Sequence, residues 1–140
     1  MTEQERIGSI VDEAYELIGF EPGEQPQWQD FCRLFVPSAT LALRVFPQDD
    51  AITVMSLEEY SRAQMQHSLS DHGYTETPTT RTVDIFGSVA VVHQNFTMNF
   101  THQEPSNAID VFLLACVDAL WRIISVVSDN VPMEMTGDGA

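Results

Sequence analysis

The chain has 140 residues, no lysine, two cysteines and no apolar run long enough to cross a bilayer. A membrane-spanning helix needs about 20 consecutive apolar residues, so we expect no membrane insertion. Six arginines against 21 acidic residues leave a formal net charge of −15. Nucleic acid and anionic membranes repel a polyanion of this strength, so we expect neither as a partner. The acidity fits solubility by self-repulsion or adaptation to high salt, and we favour the first.

The few cysteines do not form a metal or redox motif. Cys32 and Cys116 lie far apart among apolar neighbours, without the spacing of metal ligands, and are predicted to be buried thiols. We therefore expect no metal and no other cofactor. The first five residues are acidic where a signal peptide would be basic and then apolar, which predicts a cytoplasmic protein.

The helical patterns all lie before residue 73. Thr2 and Glu5 form a capping box, in which each side chain satisfies a free backbone donor at the start of a helix. This first helix is predicted to end at Gly19. A second helix is predicted to begin at Pro26 and end at Pro37, and a third to begin with the capping box at residues 56–59 and end before residue 73.

The strand patterns dominate the second half of the chain. Residues 41–46 and 51–55 are predicted to form a hairpin, and β-rich runs follow at 83–100, 109–117 and 121–127. Short connections between such runs make antiparallel neighbours. The chain is strand-like from Tyr74 onward, and Pro78 predicts that the start of this strand lies at a sheet edge. Helices first and strands last indicate an α+β fold, with one domain at 1–128 and a polar C-terminal tail at 129–140.

The order helix, helix, hairpin, helix and then antiparallel strands resembles the nuclear-transport-factor-2-like (NTF2-like) superfamily. This superfamily includes SnoaL-like cyclases, ketosteroid isomerases and scytalone dehydratase. The residues that carry the resemblance are the segments 27–39, 56–60, 86–92 and 120–124, which are similar to its second helix, the start of its third helix, and its central and final strands.

The resemblance implies three N-terminal helices packed in the concave face of a strongly curved, mainly antiparallel sheet of about six strands. It also implies an internal pocket in this cone and a homodimer through the convex sheet face. Strands that are apolar on both faces, as at residues 89–92 and 111–117, independently require cover on both sides, and three short helices cover only one.

The pocket chemistry of the superfamily supplies candidates for catalysis. In its isomerases the base is an aspartate four residues beyond the alanine that follows the second helix. Counting from Ala39 gives Leu43, so this base is missing. If the hairpin turns near residues 101–106, His93 and Asp110 come close on neighbouring strands, with His93 as general base or ligand partner and Asp110 tuning it. The alternative, which we favour, is that His93 is an interface or core histidine and that Asp110 is a strand-end carboxylate in solvent.

The other candidates are polar or aromatic residues that could contact a ligand. The predicted ligand-pocket residues are Tyr15, Trp28, Tyr60, His67, Asn95 and Trp121. A cluster of His67, Asp71 and His72 could bind a metal, but a solvated helix end is the preferred interpretation.

Three functions stay open for the pocket. The first is binding of an unidentified small apolar or cyclic organic molecule. The second is a cofactor-independent SnoaL-like cyclase, isomerase or dehydratase that uses the pocket histidine and aspartate for proton transfer. The third is a structural dimerisation module with a filled pocket.

Overall fold

A computed structural model describes residues 1–65, 72–101 and 103–131 of the chain. Within these residues, three helices and six strands follow one another in the predicted order. They are α1 (Glu3–Ile18), α2 (Trp28–Cys32), β1 (Phe35–Leu43), β2 (Thr53–Ser56), α3 (Leu57–Gln64), β3 (Tyr74–Phe86), β4 (Val89–Phe100), β5 (Ser106–Val117) and β6 (Leu120–Asn130).

The six strands form one curled sheet in the order β2-β1-β6-β5-β4-β3. All neighbouring strands are antiparallel except β1 and β6, which run parallel. The three helices pack against one face of this sheet, and no other described element covers the opposite face of the central strands. The α+β prediction is therefore confirmed, as is the position of Pro78 on an edge strand.

Both predicted capping boxes are present. Thr2 accepts a hydrogen bond from the backbone of Glu5, whose carboxylate accepts one from the backbone of Thr2. Ser56 and Glu59 make the same reciprocal contacts at the start of α3. Because each box satisfies two free backbone donors, these short polar motifs fix where the helices begin.

The second helix is shorter than the sequence predicts. It ends at Cys32, and β1 already begins at Phe35, so Pro37 lies within a strand instead of ending a helix. The pairing of β1 with β6 is irregular between Phe35 and Thr40, which allows a residue without an N–H group at this position. At the other end of the sheet, β6 continues to Asn130, two residues into the predicted tail. Residues 132–140 of that tail lie outside the described residues.

An irregularity in β3 changes which residues face the helices. Pro78 pairs with Phe96 and Arg81 with Gln94, so β3 has one extra residue between them. Up to Pro78 the even-numbered residues share the inner face, and from Arg81 onward the odd-numbered residues do. The bulge brings Glu76 to the same side of the sheet as Arg81.

The core lies between α1 and the inner face of the sheet. Ile7, Val11 and Ile18 recur at helical spacing and are almost fully buried, as are Val92, Leu114 and Ile123 on the strands. Burying one such side chain stabilises the fold by about 1.5–3 kcal/mol. Among the described residues, no helix is long and apolar enough to span a membrane.

Candidate functional site

A cavity of about 60 Å³ lies between the helices and the inner face of the curled sheet. Because roughly 10–15 Å³ holds one water on this measure, the cavity has room for several non-hydrogen atoms. Its walls are mainly apolar and aromatic. The lining residues are Ala14, Tyr15, Ile18, Phe31, Phe35, Leu41, Leu43, Arg44, Val45, Tyr60, Gln64, Tyr74, Glu76, Phe96, Met98, Asp110, Phe112, Val126 and Ser128.

Asp110 reaches the cavity from the inner face of β5, where it alternates with the buried residues Ala108 and Phe112. The favoured prediction of a strand-end carboxylate in solvent is therefore wrong for Asp110, which is only 8% exposed. Its carboxylate accepts a 2.6 Å hydrogen bond from the hydroxyl of Tyr15 on α1. Burial raises the pKa of Asp110 to about 6, although hydrogen bonds from Tyr15 and Ser128 act in the opposite direction. Tyr15 correspondingly keeps its proton, because burial and the Asp110 charge raise its pKa well above the ordinary value.

Glu76 is the second carboxyl group in the cavity and comes from β3, two strands away from Asp110. The hydroxyl of Tyr74 donates a 2.5 Å hydrogen bond to it. Burial, and then the charge of Asp110, raise the pKa of Glu76 to about 8. Asp110 and Glu76, here called the acid pair, therefore carry about one negative charge between them near neutral pH.

Two further polar side chains line the cavity. Tyr60 and Gln64 on α3 are 6% and 3% exposed. Within the described residues, neither side chain has a hydrogen-bond partner, whereas Tyr15 and Tyr74 each donate to a carboxylate. Among the described residues, no fully enclosed side-chain nitrogen or oxygen lacks a hydrogen-bond partner, so the unbonded groups of Tyr60 and Gln64 retain a small accessible surface. The Tyr60 hydroxyl and the Gln64 amide are thus available to a molecule in the cavity.

Arg44 lines the cavity, but its guanidinium is engaged elsewhere. Its Nε atom lies 2.9 Å from a carboxylate oxygen of Asp129, and its Nη1 atom donates to the backbone carbonyl of Asp49. No ion pair to Asp110 or Glu76 is formed within the described part of the chain. Among the residues that the structure describes, tyrosine and serine hydroxyls hold the acid pair and no cationic side chain does.

Three of the residues predicted from the sequence meet in this cavity: Tyr15, Tyr60 and Asp110. Trp28 lies behind the lining, where its ring packs edge-on against Phe31 and Tyr60 at centroid distances of 5.9 Å. Trp121 is buried elsewhere and donates a hydrogen bond to Glu3 at the start of α1. Both tryptophans therefore shape the packing around the site without lining it.

His93 and Asn95 lie on the outer face of β4. The His93 ring is exposed and contacts the hydroxyl of Thr82, and the Asn95 amide donates to Thr80. His93 pairs with Val111 across the strands, so it points away from the face that carries Asp110. The predicted contact between His93 and Asp110 is therefore absent. Asp110 is one residue away from the position that pairs with His93, and neighbouring residues of a strand point to opposite faces of the sheet. His67 lies outside the described residues.

The sequence reasoning missed Glu76, Tyr74 and Gln64. In β3, side chains alternate between the two faces of the sheet, and an alternation that starts at Tyr74 places Glu76 on the inner face. The extra residue after Pro78 interrupts this alternation. An uninterrupted alternation that is extended back from Arg81 would therefore place Glu76 on the outer face. Leu43, at the position where the isomerases have their base, does line the cavity. No cluster of metal-ligating side chains is found among the described residues, and the metal alternative at His67, Asp71 and His72 depends on two residues that are not described.

The fold is shared with many solved structures. An NTF2-like protein with a cystatin-like fold from Novosphingobium aromaticivorans is 15% identical with a TM-score of 0.70, over 94% of this chain and 83% of that one. A cystatin-like protein of unknown function from Nostoc punctiforme is 10% identical with a TM-score of 0.69, over 94% and 92%. An NTF2-like protein of unknown function from Silicibacter pomeroyi is 14% identical with a TM-score of 0.65, over 94% and 100%.

These likenesses show that the chain has the NTF2-like, cystatin-like fold, which is the fold that the sequence resemblance implied. A family model described as "Putative lumazine-binding" matches residues 20–127, which is most of the chain. The chain belongs to this family. A search of curated proteins finds no match.

Proposed function

We propose that the cavity binds a small organic molecule with a mainly apolar, cyclic body. The observation that carries this proposal is the convergence of polar groups on an otherwise apolar cavity: the acid pair, the Tyr60 hydroxyl and the Gln64 amide. Apolar walls with a few placed polar groups are typical of ligand sites, and the family description names a ring-shaped ligand.

A cavity-filling variant tests this proposal. Ala14 is buried on α1 and lines the cavity, so Ala14→Leu adds three carbon atoms to its interior. Ser9 is exposed on the same helix, and Ser9→Leu is the matched control. Melting temperatures are measured with a library of cyclic alcohols, ketones, amines and carboxylates, since a ligand at 100 times its Kd stabilises by about 2.7 kcal/mol. We expect shifts for the wild type and Ser9→Leu that disappear in Ala14→Leu.

Two results would contradict binding in the cavity. One is that no compound shifts the melting temperature of the wild type. The other is that Ala14→Leu responds as strongly as Ser9→Leu, which would locate the binding elsewhere. Either result favours the remaining alternative, a dimerisation module whose interior serves only packing.

A second candidate function is proton transfer on the bound molecule. Asp110 has a pKa of about 6 beside tyrosine hydroxyls, which suits a general base that works near neutral pH. The test is exchange of the α-protons of cyclohexanone for deuterium, followed by NMR. We expect exchange that Asp110→Asn abolishes and His93→Ala preserves; exchange that is equal in Asp110→Asn and the wild type excludes this role.

We further propose that the protein is a homodimer through the outer face of the sheet. Val91 pairs with Leu113, and Val111 with Val127, so these four residues form a continuous apolar area, here called the outer apolar face. Leu113 and Val127 are 41% and 45% exposed in the single chain. A second copy would cover this face symmetrically, and His93 would then lie at the edge of the interface.

A further inference from the structure

The acid pair constrains the charge of the ligand. Asp110 and Glu76 share an aromatic cavity, and among the described residues both are held only by hydroxyl donors. An isolated negative charge is costly in such surroundings unless a positive partner is present. Arg44 also lines the cavity, but it is already bound to Asp129 and to a backbone carbonyl. The described part of the chain therefore supplies the anionic half of an ion pair without the cationic half.

The remaining polar and aromatic groups of the cavity are suited to bind a cation. Tyr60 and Gln64 present a hydroxyl oxygen and an amide oxygen without partners in the described structure, and both can accept hydrogen bonds. An ammonium group has three donors and no acceptor, so one carboxylate and these two oxygens can satisfy it. The rings of Phe31, Phe96 and Phe112 line the same cavity and favour a cation over a neutral group.

We propose that the cavity selects a small organic cation, an ammonium group on an apolar body, with Asp110 and Glu76 as its counter-charge. This inference rests on the proposed ligand-binding function and deepens it. The acid pair repels a carboxylate ligand. An alcohol of the same shape would leave the negative charge of the acid pair uncompensated.

The test compares three probes of nearly equal size: n-butylammonium, 1-butanol and butyrate. Their binding is followed by melting temperature and by ligand-observed NMR at fixed ionic strength. In the wild type we expect n-butylammonium to bind at least tenfold more tightly than 1-butanol, and butyrate not to bind. The Asp110→Asn/Glu76→Gln double variant should abolish this preference.

A charge-matched control is needed because an acidic protein attracts cations everywhere. Glu21 and Glu24 are exposed on the loop after α1, away from the cavity, so Glu21→Gln/Glu24→Gln removes the same formal charge. We expect this control to keep the wild-type preference. Gln64→Leu, which removes a neutral acceptor, should weaken n-butylammonium binding several-fold.

The outcomes separate this inference from the function on which it rests. If 1-butanol binds as tightly as n-butylammonium, and Ala14→Leu blocks both, the cation inference is wrong and the cavity still binds ligands. If the control double variant loses the ammonium preference as fully as the acid-pair variant, the preference is a surface effect and the inference is also wrong. If no probe and no library compound binds, both proposals fail.

Discussion

The hydroxyl of Tyr15 donates a 2.6 Å hydrogen bond to a carboxylate oxygen of Asp110, which joins the first helix to the fifth strand across 95 positions of the sequence. This contact forms only when α1 is seated on the inner face of the sheet. It also stabilises the charged form of a carboxyl group whose burial favours the neutral form. The same hydrogen bond therefore contributes to the fold and sets the protonation of the cavity.

The first prediction concerns this hydrogen bond. Tyr15→Phe should raise the pKa of Asp110 above its value of about 6, because the carboxylate loses a donor and keeps its burial. It should lower the free energy of unfolding near neutral pH by about 1–3 kcal/mol. A carboxyl-carbon NMR titration and urea unfolding measure the two effects. Tyr60→Phe is the matched control, since its hydroxyl has no bond within the described residues, and an equal pKa change in both variants would contradict the assignment.

The second prediction is a loss of stability as the pH rises. The folded-state pKa values of the acid pair lie above those of the unfolded chain, so between about pH 4 and 8 the folded state binds more protons. The free energy of unfolding therefore falls as the pH rises through this window. Glu76→Gln should flatten the decrease and stabilise the protein at pH 8 by about 1 kcal/mol or more, since one pKa unit corresponds to about 1.4 kcal/mol.

The measurement for this prediction is the difference between variant and wild type in urea unfolding at pH 5.5, 7 and 8.5. The net charge of −15 adds its own pH dependence, which Glu21→Gln shares because it removes one exposed carboxylate. A flattening that is the same in Glu21→Gln and Glu76→Gln would show that general repulsion is responsible and that Glu76 is not.

Local sequence signals predict much of this fold. The capping boxes at Thr2 and Ser56 predict where two helices begin, because the cap residues bond only to positions three residues away. Turn residues such as Gly87, with a φ of +62°, separate the long strands for equally local reasons. Period-two alternation then gives the antiparallel layer, and the α+β order follows.

The site is less predictable because it depends on the face of the sheet to which each side chain points and on which strands lie side by side. His93 and Asp110 come close in a simple count, yet a shift of one position sends their side chains to opposite faces. The bulge between Pro78 and Arg81 similarly prevents a prediction of which face Glu76 occupies, since no residue type indicates where the extra residue lies. The parallel pairing of β1 with β6 also cannot be predicted from any short segment of the chain.

The third prediction concerns the contact between α1 and β3. The guanidinium of Arg81 donates to Asp12, to the buried Gln94 and to the backbone carbonyl of Gly8. A Cβ atom at Gly8 would lie 2.9 Å from Nη1 of Arg81, so the guanidinium must move. Alanine normally stabilises a helix by about 1 kcal/mol over glycine. We expect Gly8→Ala to bring no such gain in the wild type.

A double-mutant cycle checks this explanation. In an Arg81→Met background the close contact is absent, so Gly8→Ala should there stabilise the protein by about 1 kcal/mol in urea unfolding. If Gly8→Ala has the same effect in both backgrounds, the Arg81 contact is not what requires glycine at this position.

The fourth prediction concerns the outer apolar face. Leu113→Arg places a charge at its centre, beside Val91, and should weaken the dimer at least tenfold in sedimentation velocity experiments. Ile52 is also 41% exposed but lies outside the sheet, so Ile52→Arg changes the net charge equally and should leave the dimer intact. Added salt should strengthen the wild-type dimer, because it screens the repulsion between two chains of charge −15 each. A wild type that stays monomeric at all concentrations and salt levels, or equal dimerisation of the two arginine variants, would mean that this face binds no second copy.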